Sequence, residues 1–316
     1  MTIETIFLII VLIILFYWLG RSADSIVDSV RILSKKLGIK IFFLGLILGL
    51  FTSTPELAVG LNSIINNVQA ISLGNLLGGI IVLFGLVLGL SAVLNRTIAT
   101  ESSLKHILPL LIYVILPIFL GWDGHLGAID GLILIILYLS LIYYLFAQHR
   151  NHDSLNKTAS PDHNDSILEN IFLAFWGIVF TLLISSVIIR LALIILNDLN
   201  LSPFIVGLII FSLGTNLPEL TVTIRSWRSH IKELSLSNLV GSAAANSLLI
   251  GFFAFLRPMA VPINVSYYIL AMFLVILIIT TIYFYKTGRA ITKREGIMLL
   301  TIYFAFVIVQ SILLIN

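Results

Sequence analysis

Two glutamates lie in the middle of long apolar stretches, and each directly follows a proline. Glu56 ends the segment Thr-Ser-Thr-Pro-Glu at 52–56, and Glu219 ends the segment Thr-Asn-Leu-Pro-Glu at 215–219. A charged side chain at the centre of a bilayer costs about 2.5–3.5 kcal/mol, and it usually has a charged partner. No lysine or arginine lies at a matching depth, because Arg190 and Arg257 fall near the ends of their stretches. The pair of glutamates therefore indicates a site for an external cation.

The residues around the two glutamates could supply further oxygen ligands. Each proline removes a backbone hydrogen bond and frees a carbonyl of the preceding turn. Hydroxyl side chains lie one turn before the glutamates, and amide side chains follow each glutamate by 19 residues: Thr52, Thr215, Asn75 and Asn238. Such a set suits calcium, which takes about six to eight oxygen ligands at roughly 2.3–2.6 Å. The alternative is a structural pair of protonated glutamates that share a hydrogen bond.

The two glutamate segments belong to an internal repeat with an offset of 163 residues and no gap. Twelve residues of 50–80 recur unchanged in 213–243. They include the proline, the glutamate, an asparagine and a glycine in one register, which shared apolar composition does not explain. The small residues that follow each glutamate, such as Gly74, Gly78, Gly79 and Gly241, could allow close helix packing or expose carbonyl ligands.

The composition indicates the environment of these segments. Of the 316 residues, 59% are hydrophobic and 10% are charged, whereas soluble domains are about 45–50% apolar and about 25% charged. This composition excludes soluble enzymes, disordered proteins and nucleic-acid binders. The absence of cysteine excludes disulfide scaffolds, thiol catalysis and cysteine-ligated metal sites. We therefore expect a membrane protein without a cofactor, whose partners are the lipid bilayer and inorganic cations.

Apolar stretches near the length of about 20 residues that crosses a bilayer predict an all-α polytopic protein with ten transmembrane helices. They lie near 3–20, 40–66, 69–95, 104–121, 127–147, 168–196, 203–228, 233–257, 264–285 and 295–315. Sixteen of the 18 lysines and arginines lie in loops after odd-numbered spans. Because cytoplasmic loops are enriched in these residues, both termini are predicted outside the cytoplasm. We expect an uncleaved first span, a helical extension over 22–36, and a location in the cell membrane.

Five spans separate equivalent helices, so the second copy of the repeat is inverted in the membrane. The first repeat is predicted to cover 1–147, with its motif at 50–80, and the second 167–316, with its motif at 213–246. The linker 148–166 contains three histidines, and is either a solvated cytoplasmic connector or a regulatory metal-binding loop. Inverted repeats with broken helices near the midplane are typical of secondary transporters, in which one half moves against the other around a central site.

A second motif follows each glutamate segment: Gly-Asn-Leu-Leu-Gly at 74–78 and Ser-Asn-Leu-Val-Gly at 237–241. In the Pro-Glu-Leu segments and these second motifs, the sequence resembles the cation/calcium antiporter superfamily, specifically its sodium/calcium exchanger branch, over essentially the whole chain. The resemblance implies a five-plus-five inverted architecture. It also implies that Glu56 and Glu219 bind calcium and sodium, with supporting ligands from Thr52, Ser53, Ser72, Asn75, Thr215, Asn216, Ser235 and Asn238.

The chain departs from the family pattern in the same segments. The usual Gly-Thr-Ser-Leu-Pro-Glu begins here with Phe51 in the first copy, and the second copy has Asn216 in place of the serine. The aspartate that many exchangers carry near the two asparagines is missing. Calcium binding by the two glutamates is compatible with these changes, whereas they weaken the case for a sodium site that needs a serine hydroxyl at position 216. Sodium coupling therefore rests on the resemblance, and proton coupling through the same glutamates stays open.

These features predict a secondary active antiporter, not an enzyme, that exports calcium against sodium entry. Competition between the two ions for Glu56 and Glu219 is sufficient to couple their fluxes. The alternatives are a proton/calcium or other divalent-cation exchanger, a passive cation channel, and a membrane scaffold without ion dependence. The sequence does not fix the oligomeric state and is compatible with a monomer.

Overall fold

The computed structural model describes residues 3–36, 49–99, 104–150, 167–199, 202–217, 219–220, 233–287 and 290–315. Helices account for nearly all of these ranges, as the all-α prediction requires. The first half contains α1 (Ile3–Lys36), α2 (Thr54–Ile65), α3 (Gln69–Ile81), α4 (Leu88–Asn95), α5 (Leu104–Leu120) and α6 (Ala128–Arg150). The second half contains α7 (Ile167–Leu199), α8 (Pro203–Val206), α9 (Ser212–Thr215), α10 (Glu233–Leu256), α11 (Val265–Thr287) and α12 (Lys293–Ile315).

Two π-helical segments interrupt these helices. Val82–Val87 joins α3 to α4, so that Gln69–Asn95 forms one long rod. Gly207–Phe211 joins α8 to α9, directly before the second glutamate segment. A π-helical turn holds one extra residue and weakens the regular hydrogen-bond pattern, and such turns are frequent near functional sites.

Among the described residues, six helical segments, one of them the continuous Gln69–Asn95, are long and apolar enough to cross a membrane, and three shorter apolar segments accompany them. The predicted span 40–66 corresponds to α2 and to residues that include 40–48, which lie outside the described part. The prediction of ten spans therefore stays a prediction. The helical extension over 22–36 is confirmed, because α1 continues to Lys36. Linker residues 151–166, with two of its histidines, also lie outside the described residues.

The long helices divide into a central pair and a periphery. In Gln69–Asn95, 83% of the most apolar 18-residue window is buried, and in Leu239–Leu256 the share is 78%. The corresponding share is 22% in Ala128–Leu145 and 28% in Lys293–Leu313. Side chains such as Ile129 and Leu168 on the peripheral helices are exposed, as expected for surfaces that face lipid rather than water. One long segment from each half, Gln69–Asn95 and Leu239–Leu256, therefore forms much of the protein interior.

Two short antiparallel sheets connect the two halves of the chain. β1 (Thr97–Ala99) follows α4 and pairs with β4 (Ala290–Thr292), which precedes α12. β2 (His125–Leu126) precedes α6 and pairs with β3 (Met259–Ala260), which follows α10. Each sheet thus takes one strand from each half, and the two sheets make equivalent connections.

Glycines bring the backbones of the two halves into direct contact. A Cβ atom on Gly74 of α3 would lie 2.2 Å from the carbonyl oxygen of Phe204, and one on Gly78 would lie 2.4 Å from that of Leu208. A Cβ atom on Gly207 would in turn lie 2.3 Å from the carbonyl oxygen of Ile71. The packing role that the sequence left open is therefore confirmed for Gly74 and Gly78.

A second hydrophobic cluster lies apart from the main core, between the α1/α7 pair and the helices that carry the glutamate segments. Phe16 of α1 packs edge-to-face on Phe211, with ring centroids 5.3 Å apart, and its ring covers Gly214. The buried members of this second cluster are Leu12, Phe16, Leu19, Val59, Ile71, Ile188, Ile189, Ala192, Ile195, Val206 and Phe211.

The contact between α6 and α10 provides a test of this packing. A Cβ atom on Gly131 would lie 2.4 Å from the carbonyl oxygen of Gly251 and 2.6 Å from the amide nitrogen of Phe255. We expect Gly131→Ala to separate the two helices and lower the free energy of unfolding by about 1–3 kcal/mol, the usual cost of overpacking. Gly127→Ala is the matched control, because its Cβ would meet no atom closer than 3.4 Å. Thermal unfolding of the purified protein in detergent measures the difference, and equal stability of the two variants would contradict the packing.

Candidate cation-binding site

The first glutamate segment lies at a break between two helical pieces. Residues 49–52 are helical, Ser53 has φ −78° and ψ 12°, and α2 begins at Thr54 with the proline in its first turn. Proline is favoured at this position because the N–H groups of the first helical turn have no hydrogen-bond partner within the helix, so the N–H that proline lacks is not needed. Glu56 follows in the same turn and is only 1% exposed. The prediction of a broken helix at the first motif is confirmed.

The second glutamate segment has a similar local structure. α9 ends at Thr215, Asn216 adopts a turn conformation with φ −86° and ψ 13°, and residues 219–220 are again helical. Glu219 is 2% exposed. Residue 218, the second proline, lies outside the described part. Two buried carboxylates therefore follow two helix breaks, one in each half of the chain.

The two carboxylates interact electrostatically. Glu219 repels the charged form of Glu56, and both oxygens of Glu56 are buried without a hydrogen-bond partner in the described part of the chain. A buried carboxylate is stable only when it is paired, protonated or bound to a cation. The arrangement is therefore complementary to a positive charge placed between the two halves.

Hydroxyl groups next to the glutamates form hydrogen bonds between the halves. Thr215 Oγ1 donates to Asn75 Oδ1 over 3.0 Å. Thr52 Oγ1 and Ser242 Oγ share a hydrogen bond of 2.8 Å. Each threonine that precedes a glutamate thus contacts a side chain contributed by the opposite half. These contacts fix the relative position of the two breaks.

The carbonyl of Gly49 is the acceptor for several of these groups. It accepts hydrogen bonds from the hydroxyls of Thr52 at 3.0 Å and Ser53 at 2.9 Å, and from Ser242 at 3.3 Å. This carbonyl belongs to the helical residues 49–52, which end at the break, and the carboxyl end of a helix carries partial negative charge. Carbonyl-rich helix ends of this kind coordinate cations in broken-helix transporters.

The carbonyl that the first proline releases is not left without a donor. Pro55 lacks the N–H that would bind the carbonyl of Phe51, and the Thr54 hydroxyl donates to that carbonyl instead. A carbonyl oxygen has a second lone pair, so this bond is compatible with cation binding. The expectation of a carbonyl freed by proline is thus modified by Thr54, a residue that the sequence reasoning did not use.

The side-chain amides of Asn216 and Asn246 are oriented so that their oxygens could bind a further ligand. Asn216 Nδ2 donates to the carbonyl of Ser212 over 2.7 Å, and Asn246 Nδ2 donates to that of Leu76 over 3.3 Å. The Oδ1 atoms of both side chains are buried without a hydrogen-bond partner among the described residues. Because each amide donates through its nitrogen, its oxygen is the acceptor left for another ligand.

The two carboxamides meet at Gly79. A Cβ atom there would lie 2.7 Å from Asn246 Nδ2 and 3.1 Å from Asn216 Nδ2, so a side chain larger than hydrogen has no room at this position. Asn246 and Ser242 were not among the predicted ligands. Their spacing was a signal that could have found them, because 238, 242 and 246 are polar positions four residues apart on one face of an apolar helix.

The structure places most of the predicted ligands in one buried region. Eight of them are buried: Thr52, Ser53, Glu56, Ser72, Asn75, Thr215, Asn216 and Glu219. The hydroxyl of Ser72 and the Nδ2 atom of Asn75 have no hydrogen-bond partner in the described ranges. Ser235 and Asn238 belong to α10, but their side chains lie outside the described part.

The donor set favours a hard cation. No group of three or more His, Cys, Asp or Glu side chains that could hold a metal occurs among the described residues. A cation at this site would therefore be bound by two carboxylates together with neutral hydroxyl, amide and carbonyl oxygens. Calcium prefers such oxygen ligands, whereas imidazole and thiolate ligands favour zinc and copper.

The sequence matches one known protein family over most of its length. The family model described as sodium/calcium exchanger protein matches residues 7–147 and 169–312, which is most of the chain. The chain belongs to the sodium/calcium exchanger family. It is therefore an integral membrane protein of a family of cation transporters, and the resemblance seen in the repeated motifs is confirmed.

Individual exchangers and membrane proteins show the same relationship. The chain is 25% identical to the sodium/calcium exchanger MaX1 of Methanosarcina acetivorans, over 96% of this chain and 97% of that protein. It is 27% identical to an uncharacterized membrane protein of Methanocaldococcus jannaschii, over 92% and 93% of the two chains. A solved structure of the sodium-calcium exchanger NCX_Mj matches with a TM-score of 0.68 and 26% identity, covering 97% of this chain and 98% of that one.

The hydrogen bond between Thr215 and Asn75 is expected to contribute to cation affinity. Thr215→Val keeps the shape of the side chain but removes the donor to a buried Asn75 oxygen. The change also removes one predicted oxygen ligand and releases the Asn75 side chain from its fixed position. We therefore expect calcium affinity to fall by about tenfold, which corresponds to about 1.4 kcal/mol of binding free energy. Thr281→Val is the control, because Thr281 is equally buried but its hydroxyl donates to the Leu277 carbonyl of its own helix. Calorimetric titration of the purified variants with calcium measures both, and an equal effect of the two changes would contradict the role of Thr215.

Proposed function

We propose that this exchanger moves calcium against sodium by alternating access, with Glu56 and Glu219 as the residues for which the two ions compete. The observation that carries the proposal is the buried Glu56 carboxylate, which has no hydrogen bond in the described part and is repelled by Glu219 of the other half. Two negative charges balance one divalent cation or two monovalent cations. A site that is occupied by one ion or the other, but rarely empty, couples their fluxes.

The supporting ligands belong to the same proposal. Thr52, Ser53, Ser72, Asn75, Thr215 and Asn216 are buried close to the helix breaks, and Ser235 and Asn238 are proposed on the repeat alone. The carboxamide oxygens of Asn216 and Asn246 add two neutral acceptors. At position 216, the amide oxygen of asparagine therefore takes the place of the serine hydroxyl as an oxygen ligand. Sodium accepts such oxygen ligands, which supports sodium coupling in spite of this departure from the family pattern.

The inverted repeat is also part of the proposal, with domains 1–147 and 167–316 joined by a cytoplasmic linker at 148–166. Adding the offset of 163 to the bounds of α1 gives 166–199, and α7 covers Ile167–Leu199. The same shift brings 69–95 onto 232–258, where α10 covers Glu233–Leu256. It brings α6 onto 291–313, where α12 covers Lys293–Ile315.

The two sheets support this correspondence, because each joins a strand of one half to a strand of the other in an equivalent place. We propose ten spans in five-plus-five inverted repeats, with both termini outside the cytoplasm in the cell membrane. Arginine and lysine placement supports this orientation.

Transport by the two glutamate variants is the central test. We expect calcium uptake into sodium-loaded proteoliposomes for the wild type, and its loss in Glu56→Gln and in Glu219→Gln, because each variant removes one of the two charges that balance a divalent cation. Glu169→Gln, at an exposed position in the first turn of α7, is the control and should transport normally. Robust uptake by either site variant would overturn the assignment of paired ligands.

The same vesicles identify the coupling ion. Uptake that follows an imposed sodium gradient and not a proton gradient supports sodium coupling. Uptake that follows only a proton gradient would move the protein to proton-coupled exchange, with Asn216 as the first residue to revert to serine. Calcium flux without any counter-ion would indicate a channel.

Calcium-dependent stability provides a second test that does not require transport. A ligand at about 100 times its dissociation constant stabilises the folded state by about 2.7 kcal/mol. We expect calcium to raise the midpoint of thermal unfolding of the purified wild type but not of Glu56→Gln. An unfolding midpoint that is independent of calcium in the wild type would favour a scaffold without an ion site.

A further inference from the structure

The far end of the Glu56 helix forms a hydrogen bond with α7. Asn62 lies six residues after Glu56 on α2, and its Nδ2 atom donates to Ser185 Oγ of α7 over 3.2 Å. The same nitrogen donates to the Ala58 carbonyl of its own helix over 3.0 Å. Ser185 is fully buried, so the loss of Asn62 would leave its hydroxyl without this partner.

This bond crosses the interface formed by the second hydrophobic cluster. Val59 of α2 and Ile188, Ile189 and Ala192 of α7 belong to that cluster. Apolar contacts of this kind are weakly directional, so they fix the relative position of two helices less strictly than a hydrogen bond does. The Asn62–Ser185 bond therefore specifies one position of α2 against α7.

The position of α2 needs such a constraint because the helix is short and begins at a break. Ser53 separates it from the helical piece 49–52, so the preceding helix does not determine its direction. Asn62 lies about 9 Å along the helix axis from Glu56, at 1.5 Å per residue. A contact at that distance restrains the direction of the helix that carries the carboxylate.

The two halves of the chain differ at this contact. The offset of 163 relates Asn62 to position 225, which is an arginine, and relates Ser185 to Ser22. Ser22 shares a hydrogen bond of 2.8 Å with Thr181 within the α1/α7 pair. In an inverted repeat, the two access states exchange the conformations of the two halves. Because the asparagine of one half corresponds to an arginine in the other, the interaction at this contact differs between the two states, and the Asn62–Ser185 bond contributes to the state that contains it.

We propose that Asn62 is a positioning residue, which holds the Glu56 helix against α7 through Ser185 and favours the access state seen in this structure over the opposite one. This inference rests on alternating access as proposed above. Asn62 does not bind the transported ion, and its effect is on the equilibrium between the two states. It gives the exchanger an asymmetry between its two sides.

The transport test compares the two faces of the membrane. In proteoliposomes of defined orientation, we expect Asn62→Ala and Ser185→Ala each to change the ratio of the calcium KM values on the two sides by about threefold, and at most about 20-fold, from the measured range for interhelical hydrogen bonds in membranes. The double variant should change the ratio no more than either single variant. The exchanged pair Asn62→Ser with Ser185→Asn should restore part of the original ratio.

Two controls separate this role from a general structural effect. Asn66→Ala removes an amide directly after the end of the same helix, where its Nδ2 atom donates to the Asn62 carbonyl over 2.7 Å. Ser22→Ala removes a hydrogen bond within the α1/α7 pair. Neither control should change the ratio of KM values. An unchanged ratio in Asn62→Ala, in a protein that exchanges calcium, would overturn the positioning role and leave the proposed function intact.

A distance measurement decides the proposal even without transport. The chain has no cysteine, so Ile65→Cys with Ile171→Cys introduces two unique and exposed labelling sites on α2 and α7. About 20 Å of helix separates Ile171 from Ser185, which suits double electron–electron resonance between spin labels. Adding Asn62→Ala should redistribute or broaden the distances, whereas adding Asn66→Ala should not. Identical distributions with and without Asn62 would overturn the proposal.

Discussion

The burial of two like charges between the halves of the chain constrains the rest of the structure. Glu56 and Glu219 repel each other in an environment from which water is excluded, and carboxylates there are unfavourable without a cation or a proton. The surrounding groups are neutral oxygens and oriented amides, which stabilise a cation without adding titratable side chains. The same repulsion and burial that make the two carboxylates unfavourable without a cation also favour the binding of one.

The carboxylates reach each other only because the backbones of the two halves approach closely. Gly74 and Gly78 pack directly on the backbone of the segment that leads to Thr215, and Thr215 then reaches Asn75 of the opposite half. Packing of small residues is the usual means by which membrane helices associate, since lipid offers no hydrophobic driving force between them. The π-helical segment before α9 lies in this contact region and widens the helix where Gly207 meets Ile71.

The site is assembled from two similar but unequal halves. The threonines before the glutamates both reach across to the other half, but Thr52 contacts Ser242 whereas Thr215 contacts Asn75. Asn216 and Asn246 fill the space beside Gly79, where the first half offers no side chain. The offset likewise relates Asn62, which bonds to Ser185, to an arginine in the second half, so the two halves carry different side chains at this place. An exchanger built on a repeat can therefore differ in its behaviour on the two sides of the membrane.

The sequence by itself determined the helical membrane class, the doubled glutamate motif, the helix break at the first motif, and most of the buried polar residues near the glutamates. These properties depend on local pattern: apolar length, a proline at a helix start, and identical residues at one offset. The tertiary structure decided which groups meet. The pairing of Thr215 with Asn75, the contacts of Ser242 and Asn246 with the first half, and the contact of Asn62 with Ser185 all depend on distances and side-chain orientations. Such contacts join residues as many as 193 positions apart. The spacing within one helix can therefore mark Ser242 and Asn246 as candidates, but it does not specify which residues they contact.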